Sequence, residues 1–313
     1  MINHIWRTIS AMILILFLQN IFAWSENGHK TIAWIAWDLL NKDAEDNPTG
    51  AGAKAVSKIQ LILDSLGSGI SLADIAICAD QIRELALPAE HSMNVCKQFP
   101  IMPKSKPWHF INIPIHETPH GANDLEKYCS NQNCIMDQIR VNLHTLQTTK
   151  SNSAKQLALM FLVHFVGDLH QPLHCSTEIT DGVSDRGGNG KSVNFTDKNH
   201  TNRMNLHALW DHMIQVYDDS NDPISLSQQL EAELPTDTSS WITGDFISNT
   251  ILEGFNFAQH NIYPDYHNKG PDGETCQGNQ LGRDYQILMI PIINQRIQMG
   301  GVRLVALLKQ AFV

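Results

Sequence analysis

The sequence predicts an all-α fold, a single mainly helical domain with long loops and one short β-hairpin. Three observations carry the prediction. Apolar residues recur every three or four positions over most of the chain, the period of a helix with one buried face. No internal repeat is present, and no Gly-, Ser- or Pro-rich linker divides the chain. The composition, 42% apolar and 17% charged over 313 residues, is that of a folded protein long enough for one sizeable core.

In chain order, helices are expected over 29–41, 53–66 and 72–85, each with an amphipathic or buried pattern. The stretch 90–133 is rich in proline and poor in periodicity, so it reads mostly as loop. Helical periodicity returns over 134–148 and 153–169, the second ending just ahead of Pro172, which has no backbone donor to offer. An irregular stretch over 177–202 carries the turn sequence Asp185-Arg186-Gly187-Gly188-Asn189-Gly190 and a short hairpin over 192–195. Helices are then expected over 206–217, 225–234, 239–262 and 280–308. In the last, Gly282, Pro291 and the Gly300-Gly301 pair predict interruptions or a division into two helices.

Residues 1–23 are left out of that fold. Arg7 precedes an apolar run over 9–18, and Ile21-Phe22-Ala23 places a small residue before a cleavage point. The run is too short to cross a bilayer, so it reads as a signal peptide cut before Trp24. The expected product is a 24–313 domain, secreted or periplasmic, with no membrane span. Export makes the six cysteines candidates for disulfides. Cys129 and Cys134 are spaced to close a short loop. A pairing of Cys96 with Cys276 is the next expectation, and Cys78 and Cys175 either pair or stay free. Asn194-Phe195-Thr196 and Asn199-His200-Thr201 fit the glycosylation acceptor pattern of a eukaryotic secretory pathway.

The formal net charge is -10, and loss of Arg7 with the leader makes it one unit more negative. That excludes a protein that grips a duplex through a basic surface. It does not exclude phosphoester chemistry, provided the positive charge is supplied locally by metal ions and a few cations.

The segment His164-Phe165-Val166-Gly167-Asp168-Leu169-His170-Gln171-Pro172-Leu173-His174 carries the chemistry. His164 and Asp168 are one turn apart on a single helix face, so both can hold one metal ion. The spacing recurs in His207-Ala208-Leu209-Trp210-Asp211. Nitrogen and oxygen donors without thiolates suit a catalytic zinc site better than a structural one. Taken alone, a buried histidine is more often a hydrogen-bonded core residue, and Asp80-x-x-Arg83 more often a surface ion pair.

Taken in order, however, these residues form a set: Trp24 and His29 near the expected new N-terminus, Asp80 and Arg83 in Cys78-Ala79-Asp80-Gln81-Ile82-Arg83, His109 in Trp108-His109-Phe110-Ile111-Asn112, and the two pairs with His174 between them. The set closely resembles the S1/P1 nuclease family, whose fold is shared with bacterial zinc-dependent phospholipase C. The resemblance runs from Trp24 to at least Asp211 and fills every ligand position. It implies three zinc ions. One would be held by Asp80, His109, His164 and Asp168. A second would take the freed amino group and carbonyl of Trp24, His29 and the bridging carboxylate of Asp168. The third, more open, would take His174, His207 and Asp211. The ions would leave the site formally near about +3 whatever the overall charge.

In such enzymes a zinc-activated hydroxide attacks phosphorus, and the third zinc offsets charge on the leaving 3′ oxygen. The resemblance gives Asp80, Arg83 and Asp168 catalytic parts, Arg83 steadying the phosphorane through its fork of donors. It makes Phe110 a stacking platform for a base, against a bland reading as core packing. Asn112 stands where the family pattern has an aspartate that reads base edges, which shifts the expected base preference. Asn189 matches a loop residue near the substrate. His170 and His212 read as supporting residues.

The function implied is a secreted zinc-dependent endonuclease, acting as a monomer on single-stranded DNA and RNA. It would leave 5′-phosphate products and remove phosphate from 3′-nucleotides. One alternative is a phospholipase C on the same scaffold, disfavoured because the last ligand is Asp211 rather than glutamate. The other is a non-catalytic zinc-binding protein, disfavoured because neither a ligand nor Arg83 is missing.

Overall fold

The computed structural model describes residues 24–84, 94–197, 200–217, 222–267 and 280–313. The expected leader, Asn199 and Cys276 lie outside them. Helix α1 (Glu26–Asp46) buries Ile32, Ala33, Ile35, Ala36 and Leu40, the stripe that its apolar spacing predicts. It packs against α2 (Ala51–Asp64), which turns Ala55, Ile59, Ile62 and Leu63 inward.

The single helix expected over 72–85 is instead two short ones, α3 (Leu72–Ile75) and α4 (Cys78–Ile82). A capping box between Ser71 and Asp74 opens α3. The break has a chemical cause. The Ala76 carbonyl accepts a hydrogen bond from His164 Nδ1 at 2.7 Å, so it serves the site and not a helical ladder.

The proline-rich stretch is mostly short 3₁₀ turns. It also contains β1 (Ile113–Pro114) and one turn of helix, α5 (Ala122–Leu125). Then come α6 (Ile135–Thr148) and α7 (Asn152–His170), packed as neighbours. Ser151 caps α7 through a bond from the Ala154 N–H, and the helix stops two residues before Pro172. From Ala158 to His170 every residue of α7 is buried, so the helix is enclosed on all sides. This is the rigid core element on which His164 and Asp168 stand.

Strand β2 (Ser176–Thr177) pairs in parallel with β1, and β3 (Ile179–Thr180) pairs antiparallel with β4 (Val183–Ser184). The expected hairpin is present and longer than its apolar alternation suggests. β5 (Ser192–Asp197) pairs with β6 (His200–Asn205), whose polar sequence gives little period-2 signal. α8 (Leu206–Tyr217) follows with the expected bounds, then α9 (Pro223–Ala232).

The helix expected over 239–262 starts later. Gly244 at φ +60° reverses the chain and Asp245 caps α10 (Phe246–Phe257), which runs through a π turn into α11 (Tyr263–His267). β7 (Gln280–Gly282) joins β5 in parallel, and α12 (Arg283–Phe312) closes the fold. Gly282 ends the strand as a breaker should, but Pro291 and Gly300-Gly301 do not interrupt α12. The glycines are contact points. A Cβ on Gly301 would run into Ile35, and one on Gly300 would lie 3.2 Å from Ile32, so their absence lets α12 press against α1.

Cys129–Cys134 is a disulfide as expected, with Cα atoms 5.2 Å apart. Cys96 pairs with Cys78, 5.0 Å away, rather than with Cys276, and Cys175 is free and buried. The bond clips the segment before the 3₁₀ turn at 103–109 onto α4, which carries Asp80.

A charged network invisible to periodicity holds the end of α7. Arg296 on α12 donates to the His170 carbonyl at 3.0 Å and to Glu253 on α10 at 2.7 Å. Arg303 binds both oxygens of Glu253, at 2.7 and 2.8 Å. Arg296 therefore satisfies carbonyls at a helix C-terminus, and both arginines place positive charge there. Glu253→Ala would leave two buried guanidinium groups without their carboxylate, an expected loss of about 3 kcal/mol in urea unfolding at neutral pH. Burial opposes charge on Glu253, but Arg303 and Arg296 hold its carboxyl below the usual range. A depressed folded value gives stability above the unfolded pKa that is lost as pH falls through the folded one. The gap between wild type and Glu253→Ala should accordingly narrow in acid; a gap that widens contradicts this reading.

Candidate metal centre

The fold gathers eight residues singled out in the sequence, His29, Asp80, His109, His164, Asp168, His174, His207 and Asp211, in two adjoining buried clusters. α1 brings His29, α4 brings Asp80, the 3₁₀ turn at 103–109 brings His109, and α7 brings His164 and Asp168. Asp168 stands between them. Its Oδ1 lies 3.3 Å from His29 Nε2, while its Oδ2 lies 2.9 Å from His109 Nδ1 and 3.1 Å from His164 Nε2. A carboxylate with its two oxygens turned to different imidazoles has the geometry of a bridge. Asp80 Oδ1 lies 3.6 Å from both His109 and His164 and 3.0 Å from Arg83 Nη2.

The second cluster is His174, from the turn after Pro172, with His207 and Asp211 on α8. Residues 109–114 run beside 174–177, and Ile111 N–H donates to the His174 carbonyl at 2.8 Å. His174 Nδ1 returns a bond to the His109 carbonyl at 2.7 Å, so each cluster steadies the other. The Ser25 N–H donates to the Asp211 carbonyl at 2.8 Å, which ties the chain beside Trp24 to the same place. Trp24 itself is wholly buried, and its indole Nε1 has no hydrogen-bond partner.

The donor set fits metal ions. His164, His174 and His207 each direct Nδ1 to a backbone carbonyl, of Ala76, His109 and Gly187, at 2.6 to 2.7 Å. A carbonyl only accepts, so the proton sits on Nδ1 and the lone pair on Nε2. His174 Nε2 and His207 Nε2 then face each other 3.1 Å apart, lone pair to lone pair, which a cation between them would relieve. Asp211 Oδ2 and Asp168 Oδ1 are buried without hydrogen-bond donors.

The electrostatics agree. Burial pushes His109 down to about 4 and His207 down to about 3, and lowers His29 and His174, so these imidazoles keep free lone pairs. Burial also opposes charge on His164, yet the Asp168 and Asp80 carboxylates together push it up to about 10, favouring on Nε2 a positive charge that a metal ion would supply in place of the proton. Burial works against Asp80 as well, but Arg83 and His164 hold its carboxyl well below the usual range. Burial raises Asp211 well above that range, against the bond from Gln171. A carboxylate in that position needs a cation to stay ionised.

Gln171 is a residue the sequence did not single out. Its amide donates to Asp211 Oδ1 at 2.8 Å and accepts from the Leu173 N–H at 2.6 Å. Its place between His170 and Pro172 was the only available signal. The turn at 185–190 was legible as a turn, but not its task of presenting the Gly187 carbonyl to His207. Arg186, Gly187 and Gly188 all have positive φ, and Asp185 anchors the turn by accepting from Thr177 and Glu178. His170 Nδ1 bonds the Val166 carbonyl and its ring faces Arg303, while His212 Nδ1 bonds the Ala208 carbonyl one turn back. Phe110 and Asn112 are half-buried beyond His109, and Asn189 is half-buried with its amide donating to the Arg186 carbonyl at 2.8 Å.

Gly167 supplies a test of the His29 position. Alanine is favoured over glycine in a helix by about 1 kcal/mol. A Cβ there, however, would lie 2.5 Å from His29 Nδ1. Gly167→Ala is therefore expected to keep the fold and lower bound metal in an elemental assay; full metal retention contradicts this role for His29.

Comparison with known proteins is consistent along the chain. The family described as S1/P1 Nuclease matches residues 24–313. Endonuclease 5 of Arabidopsis thaliana is 25% identical over 332 residues, covering 97% of this chain and 95% of that protein. Nuclease P1 of Penicillium citrinum is 28% identical over 292 residues, covering 90% and 95%. Nuclease S1 of Aspergillus oryzae is 30% identical over 193 residues, covering 62% and 55%.

Proposed function

The chain belongs to the S1/P1 nuclease family, enzymes that hydrolyse phosphodiester bonds, and from that premise we propose a zinc-dependent endonuclease of single-stranded DNA and RNA. Its products carry 5′-phosphate, and it also removes phosphate from 3′-nucleotides. The observation that carries the proposal is Asp168, whose two oxygens turn to different histidines while a second histidine–carboxylate cluster adjoins it.

Three zinc ions would be held by these donors: one on Asp80, His109, His164 and Asp168, one on Trp24, His29 and Asp168, and one on His174, His207 and Asp211. Bound zinc supplies a nucleophile at neutral pH and offsets the charge that gathers on phosphorus and on the leaving 3′ oxygen. The chain's own groups do the rest. Arg83, held 3.0 Å from Asp80 and largely buried, offers its remaining N–H groups to the non-bridging oxygens of the phosphate. Phe110 stacks on a base, Asn112 reads its edge with both a donor and an acceptor, and Asn189 meets the substrate from the 185–190 turn. The Trp24 ligand is its backbone, with the indole as packing. It therefore requires cleavage of the leader before Trp24 and export of the protein. Among the described residues no helix is long and apolar enough to cross a membrane.

The test is cleavage of single-stranded RNA by protein beginning at Trp24, with zinc and with a chelator. The expected result is chelator-sensitive cleavage leaving 5′-phosphate ends. No cleavage by fully zinc-loaded protein would overturn the proposal and bring phospholipid headgroups forward as the substrate.

A further inference from the structure

Asn189, Gly190, Ser192, Arg203, Met204 and Asn205 line a cleft of about 360 Å³ that the reaction described above does not use as a whole. Its wall follows from the hairpin's alternation. Val193 and Phe195 of β5 point into the core, so Ser192 and Asn194 turn away from it. Their cross-strand partners are Asn205 and Arg203, which share that outward face.

Three features make the cleft suited to a strand of nucleic acid. First, it carries an uncommitted cation in an acidic protein of net charge -10. Arg83, Arg140, Arg296 and Arg303 are each paired with a carboxylate. Among the described residues Arg203 meets none, and it donates only Nε to Ser192 Oγ at 3.2 Å. Second, Asn189, which the proposed reaction places against the substrate, is also part of the cleft's lining. Third, the cleft adjoins the metal centre along the chain. Asn205 precedes His207 by two residues, at most about 7–8 Å along the chain. The Gly187 carbonyl, from the same turn as Asn189, orients His207 at 2.6 Å.

We propose that this cleft is a strand subsite: Arg203 binds a backbone phosphate that is not cleaved, next to the nucleotide that Asn189 meets. The proposal rests on the nuclease reading and adds a residue that selects strands over single nucleotides.

The experiment measures binding of a phosphorothioate oligothymidylate octamer to zinc-loaded protein by fluorescence anisotropy across a salt series, with cleavage of the unmodified octamer followed in parallel. Arg203→Ala is expected to weaken binding severalfold and to flatten the plot of log affinity against log salt by about 0.7, the loss of one single-strand phosphate contact. Arg203→Lys should keep the slope. Lys54→Ala, which removes an equal charge from α2, should change neither quantity. Equal affinity and slope for wild type and Arg203→Ala would overturn the proposal, as would no binding by wild type. If wild type binds with an Arg203-dependent slope yet cleaves nothing, the nuclease reading fails and the strand subsite stands.

Discussion

Asp168→Asn is expected to lower bound zinc and to cut single-strand cleavage by on the order of 10³-fold. Changing a group that only supports a metal ligand costs roughly 10–100-fold in affinity or activity. Asp168 is placed to do more, because Oδ1 faces His29 at 3.3 Å and Oδ2 faces His109 at 2.9 Å. An amide keeps the shape but loses the charge, and its nitrogen end would present donors where the site needs an acceptor. His164 would also lose one of the two carboxylates that favour positive charge at its Nε2, whether proton or metal ion. Elemental analysis and initial rates on one preparation check both parts. Full zinc content with near-normal rate would show that Asp168 bridges nothing.

Arg83→Ala makes the complementary prediction: zinc retained, kcat lowered by about 10²–10³-fold. Arg83 is not a ligand, and its contact to Asp80 at 3.0 Å leaves other N–H groups for a phosphate. Because those donors matter most when charge gathers on phosphorus, kcat should fall more than KM rises. Arg83→Lys should fall between, since an ammonium carries the charge without the planar fork. Loss of zinc in Arg83→Ala, or a change confined to KM, would assign Arg83 to holding Asp80 or to ground-state binding instead.

Much of the fold was legible because strong apolar periodicity survives in tertiary structure. α2, α6 and α7 match their expected spans closely, α8 matches in full, and α1 runs past its expected span at both ends. The misreadings have a common cause, which is that local residues were answering distant partners. The helix over 72–85 splits where the Ala76 carbonyl turns to His164, 88 residues away. Gly300-Gly301 looks like a breaker and is a contact surface for Ile32 and Ile35. Cys96 finds Cys78 because α4 and its 3₁₀ neighbour are adjacent in space, which spacing alone could not choose.

The same contrast holds at the site. Side chains with metal-binding chemistry could be named from their types and their i, i+4 spacing. What orients them could not, because it is mainly backbone: the carbonyls of Ala76, His109 and Gly187 fix three imidazoles, and any sequence carries carbonyls. Gln171 and the Glu253–Arg296–Arg303 network are side chains, but their partners lie on other helices.

The proposed function requires three zinc ions in the two adjoining clusters, one of them held through a new N-terminus at Trp24. An anomalous difference map recorded at the zinc edge, from crystals of protein beginning at Trp24, tests it most directly. The prediction is three peaks: two flanking Asp168, one of these also against the Trp24 amino group, and a third among His174, His207 and Asp211. A single peak, or none near Asp168, would contradict it.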